Sequence, residues 1–206
     1  MIEIGKALVF YNLYFDEMQR LLDDKKAFPK INERSDRKKI WKSVDAIDRA
    51  AGREGRVLLE ACMAEVRHRL ESAKVAKIVP ATRMGTMEKR WEVAFHVMRP
   101  TQKKSDKKTR QIGMTLFGTS ELTPWVWSPR GASDEAEIAG LFAKGVRWFD
   151  SREGDWANGT VHLAPIPVRW KSAKAFSLDR EPVVKKAQAA CKAISVAFIR
   201  KLIAMP

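Results

Sequence analysis

Lysine and arginine side chains are the residues of this chain with the clearest chemical potential, because they concentrate in two short windows. The chain has 206 residues and a formal net charge of +14. Residues 25–42 contain eight basic and two acidic residues, and residues 99–110 contain six basic residues and one acidic residue. Charge clustered in this way creates a local positive field, which attracts polyanions.

Ten of these side chains are candidates for binding a nucleic-acid backbone, since Lys and Arg neutralise phosphates and release counterions without reading bases. The candidates in the second window are Lys103, Lys104, Lys107, Lys108 and Arg110. The candidates in the first window are Arg34, Arg37, Lys38, Lys39 and Lys42. The first window lies at a predicted helix start, where backbone N–H groups favour anions. Two plainer interpretations stay open: lysines that keep a sheet from aggregating, and an ordinary solvated helix face.

Three carboxylates near the end of a predicted strand have the chemistry for metal-dependent phosphodiester cleavage. Asp150, Glu153 and Asp155 could together hold Mg²⁺. The same region is rich in the residue types that form turns, and no second acidic strand end accompanies it. A metal-dependent nuclease is therefore the weakest of three functional hypotheses.

Histidine and cysteine spacing gives no support to a metal site or a His-based triad. The histidines are His68, His96 and His162. No pair of them has helical ligand spacing, and Cys62 and Cys191 form no CxxC motif. No Gly-rich phosphate loop occurs, so no nucleotide cofactor is expected. Two distant cysteines form no disulfide framework, which predicts a cytoplasmic protein. The apolar run at residues 7–15 is too short to cross a membrane, so no membrane partner is expected.

A long β-hairpin is predicted to carry the second basic window. Apolar residues recur at every second position on both sides of the charged stretch; they are Trp91, Val93, Phe95 and Val97 before it and Ile112, Met114 and Leu116 after it. This spacing is typical of half-buried strands, and two such strands around a polar loop form a hairpin. A two-stranded ribbon also fits the major groove of DNA. Residues 91–117 are thus predicted to form a β-hairpin with a basic loop and an apolar base, the hairpin root.

Two helices are predicted before the sheet region. The first covers residues 3–24, where apolar residues recur at steps of three and four. The second begins at Ser35 or the next residue and ends before Pro80. Gly52 and Gly55 lie inside it, and they indicate either a bend or a close contact with another helix.

The remaining sheet region contains short strands and one short helix. A strand over residues 122–127 is expected either at a sheet edge or with an irregular form, because Pro124 and Pro129 cannot donate to a ladder. A short helix then starts at Ser133 and stops at Gly145. Further strand segments are predicted at residues 146–149, 160–163 and 166–170, with an Asn-Gly hairpin signal at residues 158–159.

The order of elements predicts an α+β fold with an antiparallel sheet. The sheet spans roughly residues 91–170, contains one inserted short helix, and packs against N-terminal helices and a C-terminal helix. One domain is expected over residues 1–206, with a helical part at 1–80 and the C-terminal helix at 180–204. Pro182 should lie in the first turn of that helix. Its predicted buried face consists of Val184, Ala187, Cys191, Ile194 and Phe198.

Tryptophans of the sheet region could stack on unpaired bases. They are Trp125, Trp127, Trp148, Trp156 and Trp170. Core packing is the plainer explanation for most of them. Trp156 is the one expected at the surface, because it lies in a turn-rich segment.

The leading hypothesis is a non-enzymatic protein that binds DNA or RNA through its phosphate backbone, alone or as an accessory subunit of a nucleoprotein complex. The main alternative is a protein-interaction or inhibitor module. Its basic windows would dock on an acidic protein partner, and its apolar first helix would pack against a partner helix or a second copy of the chain. Both hypotheses rest on the concentration of charge in two windows.

Overall fold

The computed structural model describes residues 14, 34–74, 77–81, 90–99, 101, 109–117, 121–149, 159–168 and 180–206. Within those ranges only the backbone is described at residues 34–45, 47, 48, 77–81, 90, 91, 117, 149 and 180. Several predicted features lie outside the described residues: most of the helix at 3–24, the acidic residues Asp150, Glu153 and Asp155, and the tryptophans Trp156 and Trp170.

One long helix, α1, spans Arg34–Ser72 and forms the main helical layer. Its buried residues recur at steps of three and four, as a helix that packs along one face requires. They are Ala51, Leu58, Leu59, Cys62, Met63, Val66 and Leu70. The helix is continuous through Gly52 and Gly55, which are both buried, so these glycines mark close packing and do not divide the helix. Its end at Ser72 confirms the prediction that it stops before Pro80.

The described strands form one antiparallel sheet, which confirms the predicted α+β class. The strands are β1 (Lys77–Ala81), β2 (Arg90–Met98), β3 (Arg110–Phe117), β4 (Glu121–Trp127), β5 (Trp148–Phe149), β6 (Thr160–Leu163) and β7 (Ile166–Pro167). Their order is β1-β2-β3-β4-β6-β5, and β7 also pairs with β4. Strand β1, which contains Pro80, was not predicted from the sequence. Its place at one end of the strand order is where a strand tolerates proline.

The predicted hairpin is confirmed by strands β2 and β3. Their register runs from Arg90 opposite Phe117 to Val97 opposite Arg110. Alternating apolar residues on both strands produce this register, since a slip of one residue would move each apolar set to the other face. The loop residues 102–108, which include all four candidate lysines, lie outside the described residues.

Strand β4 corrects one prediction, because it lies inside the sheet and not at its edge. It pairs with β3 on one side and with β6 and β7 on the other. On that second side β6 covers Trp125 to Trp127 and β7 covers Glu121 and Leu122. Pro124 falls between these two pairings, where a missing N–H removes no ladder hydrogen bond. The interruption between β6 and β7 therefore accommodates a proline in an internal strand.

The two faces of the sheet differ in chemistry. Directly opposed residues share a face, and residues two apart along a strand share it too. The first face carries the apolar residues Val93, Phe95, Val97, Ile112, Met114, Leu116, Leu122, Val126, Val161, Leu163 and Ile166. These residues form one core cluster with the buried side chains of α1 and of the C-terminal helices. The second face carries buried polar and aromatic residues: Glu92, Gln111, Thr115, Thr123, Trp125, Thr160 and His162.

The C-terminal helix is divided, whereas the sequence predicted one continuous helix. It consists of α3 (Arg180–Ala190), a 3₁₀ turn at Cys191–Ala193 and α4 (Val196–Ala204). Ser195 starts α4, and its hydroxyl accepts a hydrogen bond from the Phe198 N–H at 3.1 Å. A side chain of α1 stabilises the break between α3 and α4, because Arg69 Nη2 donates to the carbonyl oxygens of Cys191 and Ile194 at 3.2 and 3.1 Å.

Several smaller C-terminal predictions are confirmed within this arrangement. Pro182 lies in the first turn of α3. The predicted buried residues Ala187, Cys191, Ile194 and Phe198 all belong to the core. Val184 is the exception, since it is half-buried and packs at the margin of the core.

The short helix before β5 differs from its predicted form. A 3₁₀ turn at Gly131–Asp134 leads into α2 (Glu135–Gly140). Ser133 does not cap α2, because its hydroxyl donates to the Arg130 carbonyl oxygen at 2.9 Å. The helix also ends five residues before Gly145, whose φ of +91° marks the turn into β5.

The two cysteines lie in the core as free thiols. Burial, followed by the neighbouring Cys62, raises the pKa of the Cys191 thiol from an ordinary 9.0 to about 12. The folded protein therefore keeps this proton at a pH where the unfolded chain releases it. Stability should fall as pH rises from about 9 to about 12, by about 1.4 kcal/mol per pH unit from this group.

Urea unfolding at about pH 8 and about pH 10 of the parent and of Cys191→Ala measures this contribution. Alkaline titration of lysines and tyrosines is common to both proteins, so the difference between their pH slopes isolates the thiol. Equal slopes would contradict the expected linkage.

Candidate nucleic-acid interface

The root of the basic hairpin is well defined. Strand β2 ends at Met98 and β3 begins at Arg110. Next to it, Thr109 Oγ1 forms a hydrogen bond with His96 Nδ1 at 3.2 Å. This bond ties the returning end of the loop to the outgoing strand, so the loop with its lysines emerges from a fixed base.

Arg110 has a different environment from the one that the sequence predicted. Its side chain is only 7% exposed, because it lies opposite Val97 on the helix-covered face. The guanidinium donates to the carbonyl oxygens of Met205 and Pro206 at 3.2 and 2.9 Å and to Asp134 Oδ2 at 3.4 Å. These contacts occupy the guanidinium inside the fold, so Arg110 is better described as part of the support of the hairpin than as a phosphate contact.

Two further arginines meet the same end of the chain at the surface. Arg99 Nε donates to the Ile203 carbonyl oxygen at 3.1 Å, and Arg130 Nη1 donates to the Pro206 carbonyl oxygen at 3.2 Å. We call Arg99, Arg110 and Arg130 the arginine cluster. It fixes the carbonyl end of α4 to the hairpin root.

A single carboxylate, that of Asp134, is paired with the arginine cluster among the described ion pairs. Its Oδ1 lies 3.6 Å from Arg130 Nε, and its Oδ2 accepts a hydrogen bond from the Ser128 hydroxyl at 2.5 Å. Asp134 is 1% exposed. Asp134 thus faces Arg110 and Arg130, and the exposed side chains of Arg99 and Arg130 bring positive charge to the surface of the hairpin root.

The outer face of α4 extends this positive surface. Its exposed positions are Ala197, Arg200, Lys201 and Ala204, which recur at steps of three and one as one helical face. Arg200 and Lys201 therefore lie on the same element whose end Arg99 holds. Lys186 and Lys192, before α4, are exposed as well.

The sequence-based search missed this third basic region. Residues 180–206 contain six basic residues and one acidic residue. That acidic residue, Glu181, pairs with Lys185 at 2.5 Å. The signal was readable in the sequence, but the charges are spread over helical turns and form no dense run.

Residues 34–42 of the first basic window form the N-terminal end of α1. The backbone of residues 34–42 is helical, and the side chains of its five candidate residues are not described. About 51 Å of helix separates Lys38 from Ser72 at 1.5 Å per residue. Five residues lead from Ser72 to Lys77, which reach at most about 18 Å, and Lys77 pairs with Met98 about 5 Å away. Lys38 therefore lies at least about 28 Å from the hairpin root, and Lys42, the candidate nearest to Ser72, lies at least about 22 Å from it.

The described tryptophans have three different environments. The Trp125 indole lies across Gly113 in the second face of the sheet, and its Nε1 donates to Thr115 Oγ1 at 2.9 Å. Trp127 is half-buried, whereas Trp148 is 38% exposed. Core packing is thus confirmed for Trp125, and Trp148 has the accessible indole that the sequence had suggested for Trp156.

Comparison with protein-family models, curated proteins and solved structures yields no match to this chain. In the part of the chain that the structure describes, no group of three or more His, Cys, Asp or Glu residues is placed to hold a metal ion. A search of the same residues finds no helix of the length and hydrophobicity needed to cross a bilayer.

Proposed function

We propose that this protein binds the phosphate backbone of nucleic acid without catalysing a reaction, alone or as an accessory subunit of a nucleoprotein complex. The single observation that carries the proposal is the electropositive root of the hairpin. Four loop lysines emerge from a base that contains Arg99 and Arg130, and Arg200 and Lys201 lie exposed on the adjoining helix.

Backbone contacts of this kind are electrostatic and independent of base sequence. Each phosphate that a lysine or arginine neutralises releases a condensed counterion, which makes the affinity fall as salt rises. Arg130 directs Nη1 to a carbonyl oxygen and Nε toward Asp134, and a guanidinium has five N–H donors. This exposed side chain thus has donors left for phosphate oxygens.

The separation of the basic windows favours an extended polyanion. A ligand that touches both the hairpin root and residues 34–42 must span at least about 22 Å, which corresponds to about six base pairs of duplex. A mononucleotide is too short to occupy both windows. The Arg34, Arg37, Lys38, Lys39 and Lys42 side chains are assigned to the second contact on this basis.

Replacing Lys103, Lys104, Lys107 and Lys108 together by glutamine should reduce the salt dependence of duplex binding. If each lysine neutralises one phosphate, the slope of log affinity against log salt becomes shallower by about 3.6, at about 0.9 per contact. Fluorescence anisotropy with a labelled duplex at several salt concentrations measures both slopes.

The matched control is the double variant Arg56→Gln, Arg67→Gln. Both arginines pair with glutamates one turn further along α1, at 2.7 and 2.8 Å. Removing them changes the net charge at positions outside the hairpin, so the slope should stay as in the parent. An unchanged slope in the lysine variant would reject the hairpin as the phosphate contact.

A further inference from the structure

Trp148 presents an aromatic surface at one end of the sheet. Strand β5 is the last in the strand order and pairs with β6 alone among the described strands, through Trp148 opposite Leu163. The indole is 38% exposed, whereas Trp125 is 5% exposed. Trp148 therefore offers an accessible aromatic face at this end of the sheet.

Two cations lie directly before this indole. Lys144 and Arg147 are exposed, and the chain turns between them through a hydrogen bond from the Val146 N–H to the Ala143 carbonyl oxygen at 3.1 Å. The Arg147 carbonyl oxygen accepts from the Ala164 N–H at 3.2 Å, which fixes the backbone at the start of β5. The segment thus combines an exposed aromatic ring with positive charge on a positioned backbone.

The sheet register gives the distance between Trp148 and the hairpin root. Trp148 lies opposite Leu163 and therefore level with Met114, four residues along β3 from Arg110. Four residues along the strands and three strand spacings across them give a Cα separation of about 20 Å. Arg130 follows the end of β4 and lies between these two positions in the strand order.

We propose that Trp148 stacks on an unpaired base of single-stranded nucleic acid whose phosphates rest on the hairpin root. The inference depends on the proposed function and adds the class of ligand to it. Stacking requires an unpaired base, since bases inside a duplex already stack on one another, and every base offers a π face. The separation of about 20 Å suits a strand of a few nucleotides, within the range of about 4 to 16 that such sites cover.

The test compares an oligothymidylate of about 20 nucleotides with a duplex of the same length. Trp148→Ala should weaken oligothymidylate binding by about 5- to 150-fold, the effect of losing one stacked base, and leave duplex binding within about twofold. Trp148→Phe keeps a ring and should retain most of the affinity. Val57→Ala is the matched control, because Val57 is an apolar residue of α1 with a similar exposure of 41%.

Tryptophan fluorescence gives a second readout that a general loss of folding would not reproduce. Oligothymidylate should quench part of the emission of the parent protein, and Trp148→Phe should bind with that part of the quenching missing. Equal oligothymidylate affinity in the parent and in Trp148→Ala would overturn this inference, while the lysine-dependent salt slope for duplex would still support the proposed function. Absence of salt-dependent binding to both probes would overturn the two together.

Discussion

Replacing Asp134 by asparagine should lower the free energy of unfolding by about 3 to 5 kcal/mol, the usual cost of removing one partner from a buried ion pair. The Arg110 guanidinium would then remain buried without its carboxylate partner. The change also weakens the short hydrogen bond from Ser128, because a neutral amide oxygen is a poorer acceptor than a carboxylate.

Thermal and urea unfolding of Asp134→Asn measure this effect. For a domain of this size the expected loss corresponds to a fall in Tm of about 10 °C. Glu181→Gln is the control, because Glu181 also pairs with a cation, Lys185, but at side-chain exposures of 74% and 72%. That surface pair should contribute less than about 0.5 kcal/mol. A loss below about 1 kcal/mol for Asp134→Asn would show that Arg110 finds another partner or reaches water.

Replacing Gly113 by alanine should destabilise the protein by about 2 to 3 kcal/mol through overpacking. An added Cβ would collide with Trp125 Cζ2, and it would lie 2.6 Å from Trp125 Cε2 and 2.8 Å from the Val93 carbonyl oxygen. The Val93 oxygen belongs to the paired strand β2, so it cannot retreat without opening the β2–β3 ladder.

Gly140→Ala is the matched control for this substitution. A Cβ at Gly140 would meet nothing within 4 Å, and the residue ends a helix, where alanine is the better helix former. Urea unfolding should therefore find Gly140→Ala as stable as the parent or more stable. Equal stability of Gly113→Ala and the parent would mean that the indole and strand β2 both shift at little cost.

Sequence periodicity predicted the hairpin, the long helix and the α+β class, because each depends on spacing within one element. The same alternation also contained the position of Arg110, which precedes the inward-facing Ile112 by two residues. It was assigned to the lysine-rich loop because it lies next to the loop in sequence, although strand geometry places it on the covered face. The alternation of strand residues was therefore a better guide to the position of Arg110 than its place beside a run of basic residues.

Features that depend on pairing between distant segments could not be predicted in this way. Pro124 suggested an edge strand, and only the interruption between β6 and β7 explains why an internal strand accepts it. The arginine cluster joins residues 99, 110 and 130 to the carbonyl oxygens of 203, 205 and 206, at sequence separations from 76 to 104. No period or motif in the chain indicates such contacts.

The covering of the first sheet face has a consequence for the synthesis of this protein on the ribosome. That face is closed by α1, which precedes the strands, and by α3 and α4, which follow them. Until residues 180–206 have left the exit tunnel, a nascent chain holds the strands with part of their apolar face open to solvent. Such intermediates aggregate readily and bind chaperones. Translation pauses late in this chain should therefore lower the yield of folded protein more than pauses within the strands.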